Sequence, residues 1–306
     1  MERKTAAGHL AALITILVWG TTFISTKLLL VDFKPVEILF FRFVMGYVAL
    51  ILACPRILRL KERRQELTFA LAGLCGVCMY YLLENIALTY TLASNVGVII
   101  SVAPFFTAML THLFMRGEER LRPNFFAGFA AAMAGICLIS FNGANGFTLS
   151  PVGDLLALAA ALIWACYSVL TRRISGFGYG TIQATRRIFF YGLLFMAPTL
   201  FLFDFNPDLT RFSNPVHLFN ILFLGFGASA LCFVTWNTAV RVLGAVKTSI
   251  YIYMVPVITV VTSVIVLGET VTPASALGIL LTLTGLLLSE SKFEWKKRST
   301  QNGLAE

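Results

Sequence analysis

The sequence predicts an all-α polytopic membrane protein whose ten transmembrane helices form two inverted five-helix repeats. Three observations predict it. The 306 residues are 58% hydrophobic and 13% charged, with a mean hydropathy of +0.82; a soluble domain carries about 45–50% apolar and about 25% charged residues. The apolar residues are gathered into ten long runs separated by short basic segments. Features of the first half recur in the second.

A span takes about 20 apolar residues, so ten would use about 200 and leave roughly 100 for loops and tails, too few for a soluble domain of ordinary size. In order, the runs lie at about 8–30, 36–54, 67–91, 93–115, 123–141, 151–173, 181–203, 216–241, 244–267 and 271–290. Each is expected to cross as a helix, because lipid requires every backbone group to be satisfied within the segment. The first follows Arg3 and Lys4 and exceeds the roughly 7–15 apolar residues of a cleavable signal, so it stays as a span. The seventh carries Arg186 and Arg187 at its start and is the least favourable of the ten. Cys54, Cys75, Cys78, Cys137, Cys166 and Cys232 all lie in or beside apolar runs, where they read as small core hydrophobes and not as a disulfide framework. Cys75-x-x-Cys78 has metal or redox spacing but lacks the second Cys/His pair of a zinc site.

Orientation follows from Lys and Arg in short loops. With the N-terminus inside, cytoplasmic segments hold 20 of the 24 basic residues, outer loops hold only Lys34 and Arg211, and Lys27 and Arg42 lie within spans. Both termini, including a basic tail at 291–306, are therefore expected in the cytoplasm. The net charge of +9 becomes a topology signal, and nucleic acid drops out as a partner.

Near an offset of 145 residues, Trp19 matches Trp164 and Arg42 matches Arg187. At 152, Gly73/Gly225, Asn85/Asn237, Ala87/Ala239, Ala93/Ala245, Ile100/Ile252, Pro104/Pro256 and Thr107/Thr259 coincide. At 150–151 come Gly117/Gly268, Glu118/Glu269, Pro123/Pro273, Gly128/Gly278 and Gly135/Gly285. Repeats at 8–141 and 151–290 of five spans each enter the bilayer from opposite sides, which makes the repeat inverted. Such halves are a construction of secondary transporters, because they can exchange conformations around one central site.

These residues carry a family resemblance. The tryptophans of VWGTTF and IWACYS, the arginines of EILFFRF and ATRRIFF, the prolines of VAPFFTAML and MVPVITVVT, and the closing Gly-Glu, Pro, Gly, Gly pattern resemble the drug/metabolite transporter superfamily, in its ten-helix EamA-type branch of bacterial inner-membrane exporters and permeases. The resemblance covers about residues 8–290. It implies a cavity lined by helices 1–4 and 6–9, peripheral helices 5 and 10, and transport of small metabolites without ATP; within that, export of amino acids or related amphipathic compounds is the expected function. No cofactor is implied.

Pro104 and Pro256 fall near the centres of their runs, where a missing donor and a clash one turn back predict kinks that act as hinges or line a site. Packing kinks are the plainer alternative. Glu84 is the only carboxylate well inside a run. Ionisable groups in lipid are functional hypotheses by default, and low dielectric favours a protonated carboxyl, as a proton-coupling group requires. A structural pairing with Lys27 or Arg42 is the alternative. Arg42 and Arg187 lie toward opposite faces and could grip a carboxylate or phosphate through paired hydrogen bonds, or snorkel to headgroups, as Lys27 is expected to do. Trp19, Trp164 and Trp236 sit away from run ends and, with Tyr80, Tyr81, Tyr167, Tyr191, Tyr251 and Tyr253, could line an amphipathic cavity. Asn85 and Asn237 could read an amide or amino group, or join helices.

A nucleotide-sugar or phosphorylated-sugar antiporter is the alternative among transporters. A membrane enzyme would need a His-Glu-x-x-His motif, an aspartate pair or a Ser/His constellation, and His9, His112 and His217 are scattered among other sequences. No Walker A sequence is present. A receptor remains open at this level, as do the oligomeric state and the coupling ion, for which protons are the candidate.

Overall fold

In the computed structural model of the chain, the described residues are 2–91, 93–115, 123–141, 150–267 and 273–290. The Gly117/Glu118 and Gly268/Glu269 pairs, the basic residues at 116–122 and the tail at 291–306 lie outside them. The described residues form helices and connecting loops, with no strand among them.

The helices are α1 (Glu2–Leu29), α2 (Pro35–Ala53), α3 (Gln65–Gly73), α4 (Tyr80–Tyr90), α5 (Ala93–Ile100), α6 (Ala103–Phe114), α7 (Pro123–Phe141), α8 (Pro151–Ser175), α9 (Thr181–Leu202), α10 (Pro215–Leu222), α11 (Cys232–Leu243), α12 (Ala245–Ile250), α13 (Met254–Leu267) and α14 (Pro273–Glu290). Pro35, Pro123, Pro151, Pro215 and Pro273 each open a helix, the position where a missing N–H costs nothing and the fixed φ is already helical. Wide π-helical turns, Leu74–Met79 and Phe223–Leu231, join α3 to α4 and α10 to α11, so that these pairs run as single rods. Six rods are long and apolar enough to cross a membrane: Lys4–Leu29, Pro35–Ala53, Gln65–Tyr90, Val96–Phe114, Pro151–Ser175 and Pro215–Leu243. Shorter apolar helices occupy Pro123–Leu138, Ala245–Thr259 and Ala276–Ser289. The remaining rod, α9, has 22 residues and carries Arg186 and Arg187 in its second turn.

The two runs with a central proline are broken. Ser101 and Val102 interrupt α5 and α6 just before Pro104, and a 3-10 turn, Tyr251–Tyr253, separates α12 from α13 just before Pro256. The Ser101 and Val102 amides are satisfied by carbonyls three residues back, at 3.1 Å each, so the break relocates hydrogen bonds without abandoning them.

Packing exchanges the halves. The α1 rod packs on α11 and α13; correspondingly α8 packs on α4 and on α5 and α6. The α2 rod packs on the π turn before α11, and α9 on α3 and the π turn after it. The pair α7 and α14 lies to one side, each mostly against the other. A Cβ at Gly128 would stand 2.6 Å from the Gly285 carbonyl oxygen, and one at Gly135 would stand 2.6 Å from that of Gly278. The two helices therefore run antiparallel, and each glycine meets the repeat counterpart of the other. Gly135→Leu is expected to push these backbones apart and to cost about 1–3 kcal/mol, as overpacking does; a melting temperature in detergent equal to wild type would refute this close contact.

The rods meet in loops at two ends. At one end, loops 54–64 and 176–180 come together, where Arg186 donates to the carbonyls of Cys54 and Arg56, and Lys61 N donates to the Tyr179 hydroxyl at 2.7 Å. At the other, loops 30–34 and 203–214 meet, with Arg211 Nη1 2.8 Å from both the Asp32 carbonyl oxygen and Glu37 Oε2. Each end joins one loop of the first half to one of the second. The first is called the basic end below, for its arginines and lysines; the second is the opposite end.

Candidate functional site

Three tryptophans form a layer at the centre. Trp19 of α1 lies with its ring centroid 5.1 Å from Trp164 of α8, nearly perpendicular, and 5.2 Å from Trp236 of α11; Trp164 and Trp236 are 5.7 Å apart. Edge-to-face and tilted contacts of this kind suit the ring quadrupoles. Phe233, one turn before Trp236, touches Trp19, Trp164, Tyr81, Tyr167, Phe43 and Phe189. Trp19 Nε1 donates to the Ala228 carbonyl at 3.0 Å, whereas the Nε1 atoms of Trp164 and Trp236 are buried without an acceptor.

A cavity of about 30 Å³ lies against this layer, lined by Trp19, Trp164, Thr22, Phe23, Tyr80, Tyr81, Glu84, Ile100, Ile252 and Val255. It has room for one or two waters and none for a metabolite. Glu84, 4% exposed, supplies its carboxylate, with the Tyr80 hydroxyl one helical turn away. Of the repeat-related pair Ile100 and Ile252, the first ends α5 just before its break and the second lies within the 3-10 turn that breaks the other run. The breaks thus border the cavity, although Pro104 and Pro256 themselves stand behind it.

Arg42 is the cation of the site. It is 1% exposed; its Nε donates to Ser229 Oγ at 3.0 Å, and its guanidinium carbon lies 4.3 Å from the Tyr81 ring centroid, a cation–π contact. Its Nη2 is buried with no acceptor. Orphaned buried donors of this kind are uncommon and costly. Three stand in this centre, on Arg42, Trp164 and Trp236, beside a single carboxylate. Lys27 does not pair with Glu84: its Nζ donates to the Leu88 carbonyl at 2.6 Å and to that of Thr91 at 3.3 Å. It caps the end of α4 where snorkelling was expected.

Beyond the tryptophans, toward the basic end, Tyr167 Oη donates to Asn237 Oδ1 at 2.9 Å, and Asn237 Nδ2 donates to Thr185 Oγ1 at 3.0 Å. Asn237 also lines a second small cavity of about 20 Å³ with Thr171, Ser175, Thr181 and Arg241. The tryptophan layer separates an acidic, aromatic cavity from this neutral polar chain.

Several expected site residues are not brought to the centre. Arg187 makes a bidentate pair with Glu66 at the basic end, at 2.8 and 2.6 Å, and donates to the Leu58 carbonyl at 3.0 Å; the Tyr191 hydroxyl joins the same carboxylate. The fork is fully engaged, so it grips the protein's own carboxylate, and Arg42 and Arg187 do not work as an equivalent pair. Asn85 turns to the start of α2, donating to the Pro35 carbonyl at 3.2 Å. Tyr251 likewise lies elsewhere, its hydroxyl 2.6 Å from His9 Nδ1. Sequence reasoning did not single out Thr22, Phe23, Ser229, Phe233 or Thr185. Phe233 had a usable signal, standing 152 residues after Tyr81; the hydroxyls had none. Glu37 was missed too: 1% exposed at the opposite end, it accepts from Lys34 N, Asn206 N and Arg211.

The family model described as "EamA-like transporter family" matches residues 6–141 and again 151–290. The chain belongs to the EamA-like transporter family. It is thus a multi-pass membrane transporter of the drug/metabolite transporter superfamily, acting on a small molecule, and not an enzyme. An uncharacterized transporter of Archaeoglobus fulgidus is 28% identical over 297 residues, covering 95% of this chain and 99% of its own. A "Probable terminal-alkyne amino-acid exporter" of Streptantibioticus cattleyicolor is 26% identical over 292 residues, covering 94% and 95%. A "Probable amino-acid metabolite efflux pump" of Escherichia coli is 24% identical over 307 residues, covering 97% and 98%. A crystal structure with 22% sequence identity matches with a TM-score of 0.74 over 93% of this chain and 96% of that one, a likeness of fold. This EamA-like chain contains no group of three or more His, Cys, Asp or Glu able to hold a metal among the described residues.

Proposed function

We propose that this EamA-like protein is a secondary transporter that exports amino acids or closely related amphipathic compounds across a bacterial inner membrane, with both termini in the cytoplasm. The observation that carries the proposal is the central site: a carboxylate, a guanidinium with an unused donor and two unused indole donors, all set among aromatic rings. A substrate with an ammonium group, a carboxylate and an apolar body supplies partners for the two charges and the rings, and its carboxylate oxygens are acceptors of the kind the indole donors lack. The ammonium faces Glu84, the carboxylate meets Arg42 once Tyr81 swings aside, and the body lies on Trp19 and Trp164. The relatives named as a probable terminal-alkyne amino-acid exporter and a probable amino-acid metabolite efflux pump support the same class. A phosphorylated sugar would bring a double negative charge to a site whose cation is offset by Glu84, so the antiporter reading has no observation in its favour.

The mechanism proposed is alternating access of two inverted repeats, 8–141 and 151–290. The exchanged contacts of the halves and the crossed glycine pairs support it, because a two-fold axis in the membrane plane relates antiparallel helices in this way. Opening one end, with the other held by its loop contacts, would expose the tryptophan layer to one side at a time. Glu84 is the proposed proton-coupling group. The test is uptake of a panel of labelled amino acids and metabolites into proteoliposomes, with and without an imposed pH gradient. Saturable uptake of an amino acid is expected; folded protein that moves no member of the panel would overturn the reading.

A further inference from the structure

At the opposite end, His217 of α10 is held between two oxygens. Its Nε2 lies 3.1 Å from Asp32 Oδ2, and its Nδ1 lies 3.1 Å from the Arg211 carbonyl oxygen. A carbonyl only accepts, and an ionised carboxylate only accepts. Both contacts are hydrogen bonds together only when each ring nitrogen carries a proton, that is, when the ring is an imidazolium. With a neutral ring, one nitrogen turns a lone pair toward an oxygen.

The surrounding charges agree. Asp32 and Glu37 bring two negative charges, and Arg211 one positive charge, paired with Glu37 at 2.8 Å. Lys34 is engaged with Asp204, its Nζ 2.9 Å from the backbone carbonyl and 3.9 Å from Oδ2. On the helices packed against α10, Lys27 and Arg42 are held elsewhere by Leu88 and Ser229, and Glu2, Arg3, Lys4 and His9 belong to the far end of α1. Asp208, in the same loop and close to the Arg211 charge, adds a further negative charge, so a charged His217 reduces the negative excess of the cluster. The Arg211 guanidinium and the α10 helix start oppose it, the second through a dipole that disfavours a nearby cation. The contacts join the halves: Asp32 belongs to the loop after α1, and His217 and Arg211 belong to the second half. The Phe33 ring seals the joint, stacked on Phe212 at 5.0 Å and edge-on to His217 at 5.4 Å.

We infer that His217 is a pH-sensitive latch: protonation from the solution at the opposite end holds loops 30–34 and 203–214 together and keeps that end closed. Histidine is the side chain whose charge changes between about pH 5 and 8, so acid on that side favours the closed state and alkali releases it. The inference rests on the reading above that this end opens during transport, yet it is separate from coupling, since His217 lies away from the central cavity and passes no proton to it.

The test measures the latch without substrate. Val31 and Leu209, 79% and 62% exposed, are replaced as Val31→Cys and Leu209→Cys in a chain cleared of its own cysteines and given spin labels. Their distance distribution is then read by pulsed electron paramagnetic resonance in lipid nanodiscs between about pH 5 and 8. The closed-to-open ratio is expected to fall about tenfold across that range, the size of one charge-assisted hydrogen bond. His217→Gln, which keeps one hydrogen bond but cannot charge, is expected to give a flat profile. Asp32→Asn, at a half-exposed position where folding is spared, is expected to flatten it in part. A wild-type distribution that ignores pH, or an unchanged slope in both variants, would overturn the latch and leave the transport reading standing. Labels that never separate, even with a transported amino acid present, would overturn both.

Discussion

Glu84→Gln is expected to abolish the pH-gradient dependence of transport while leaving the protein folded. Glutamine keeps the shape and a hydrogen bond to neighbours such as Tyr80, but it cannot take up or release a proton. One proton moved with each substrate supports at most a tenfold accumulation per pH unit, because a unit is about 1.4 kcal/mol. That accumulation should collapse in the variant to the level reached without a gradient, whereas exchange of labelled for unlabelled substrate persists. Equal melting temperatures and elution volumes would establish the fold. Undiminished gradient-driven accumulation in the folded variant would assign Glu84 to structure alone and send the search for the coupling group elsewhere. Lys27 is not the group that would conceal such a result, for its ammonium is committed to the end of α4.

The second large effect is expected at Arg42. Arg42→Gln should weaken uptake of substrates bearing a carboxylate about 10- to 100-fold, in KM before kcat, matching the loss of one or two hydrogen bonds to a charged group. Decarboxylated analogues, which keep the ammonium and the apolar body, should be much less affected. Arg42→Lys keeps the charge but lacks the planar fork, and should fall between the two. An equal loss for acids and for their decarboxylated analogues would mean that the guanidinium serves only to join α2 to Ser229 and Tyr81. The stability cost of losing the Ser229 bond, about 2 kcal/mol for a bond from a charged donor, leaves both variants to be compared as folded proteins once equal elution volumes are established.

The ten runs read from the sequence agree with the helices to within a few residues wherever the structure describes them: 36–54 against Pro35–Ala53, and 181–203 against Thr181–Leu202. The repeat was legible as well, and it carried real information about the site, since Ile100 and Ile252, or Trp19 and Trp164, meet at one cavity although 152 and 145 positions separate them. What the repeat misjudged was equivalence of role. Arg42 and Arg187 occupy matching positions, yet Ser229 stands opposite the first and Glu66 opposite the second. Matching positions share a backbone location, whereas a guanidinium is claimed by whichever carboxylate lies in reach.

The sequence by itself determined the membrane, the runs that become helices and the residues at which the helices break, because lipid punishes each unsatisfied backbone group within its own segment and proline acts on its own turn. These are local effects that leave long, local signals. Only the tertiary structure decided which charged residues face the centre and which fasten the ends. Glu66 and Arg187 are 121 positions apart, and Glu37 and Arg211 are 174 apart. Such pairs are chosen by the few side chains that close packing brings within 3 Å or so, and no periodicity in the chain records that choice.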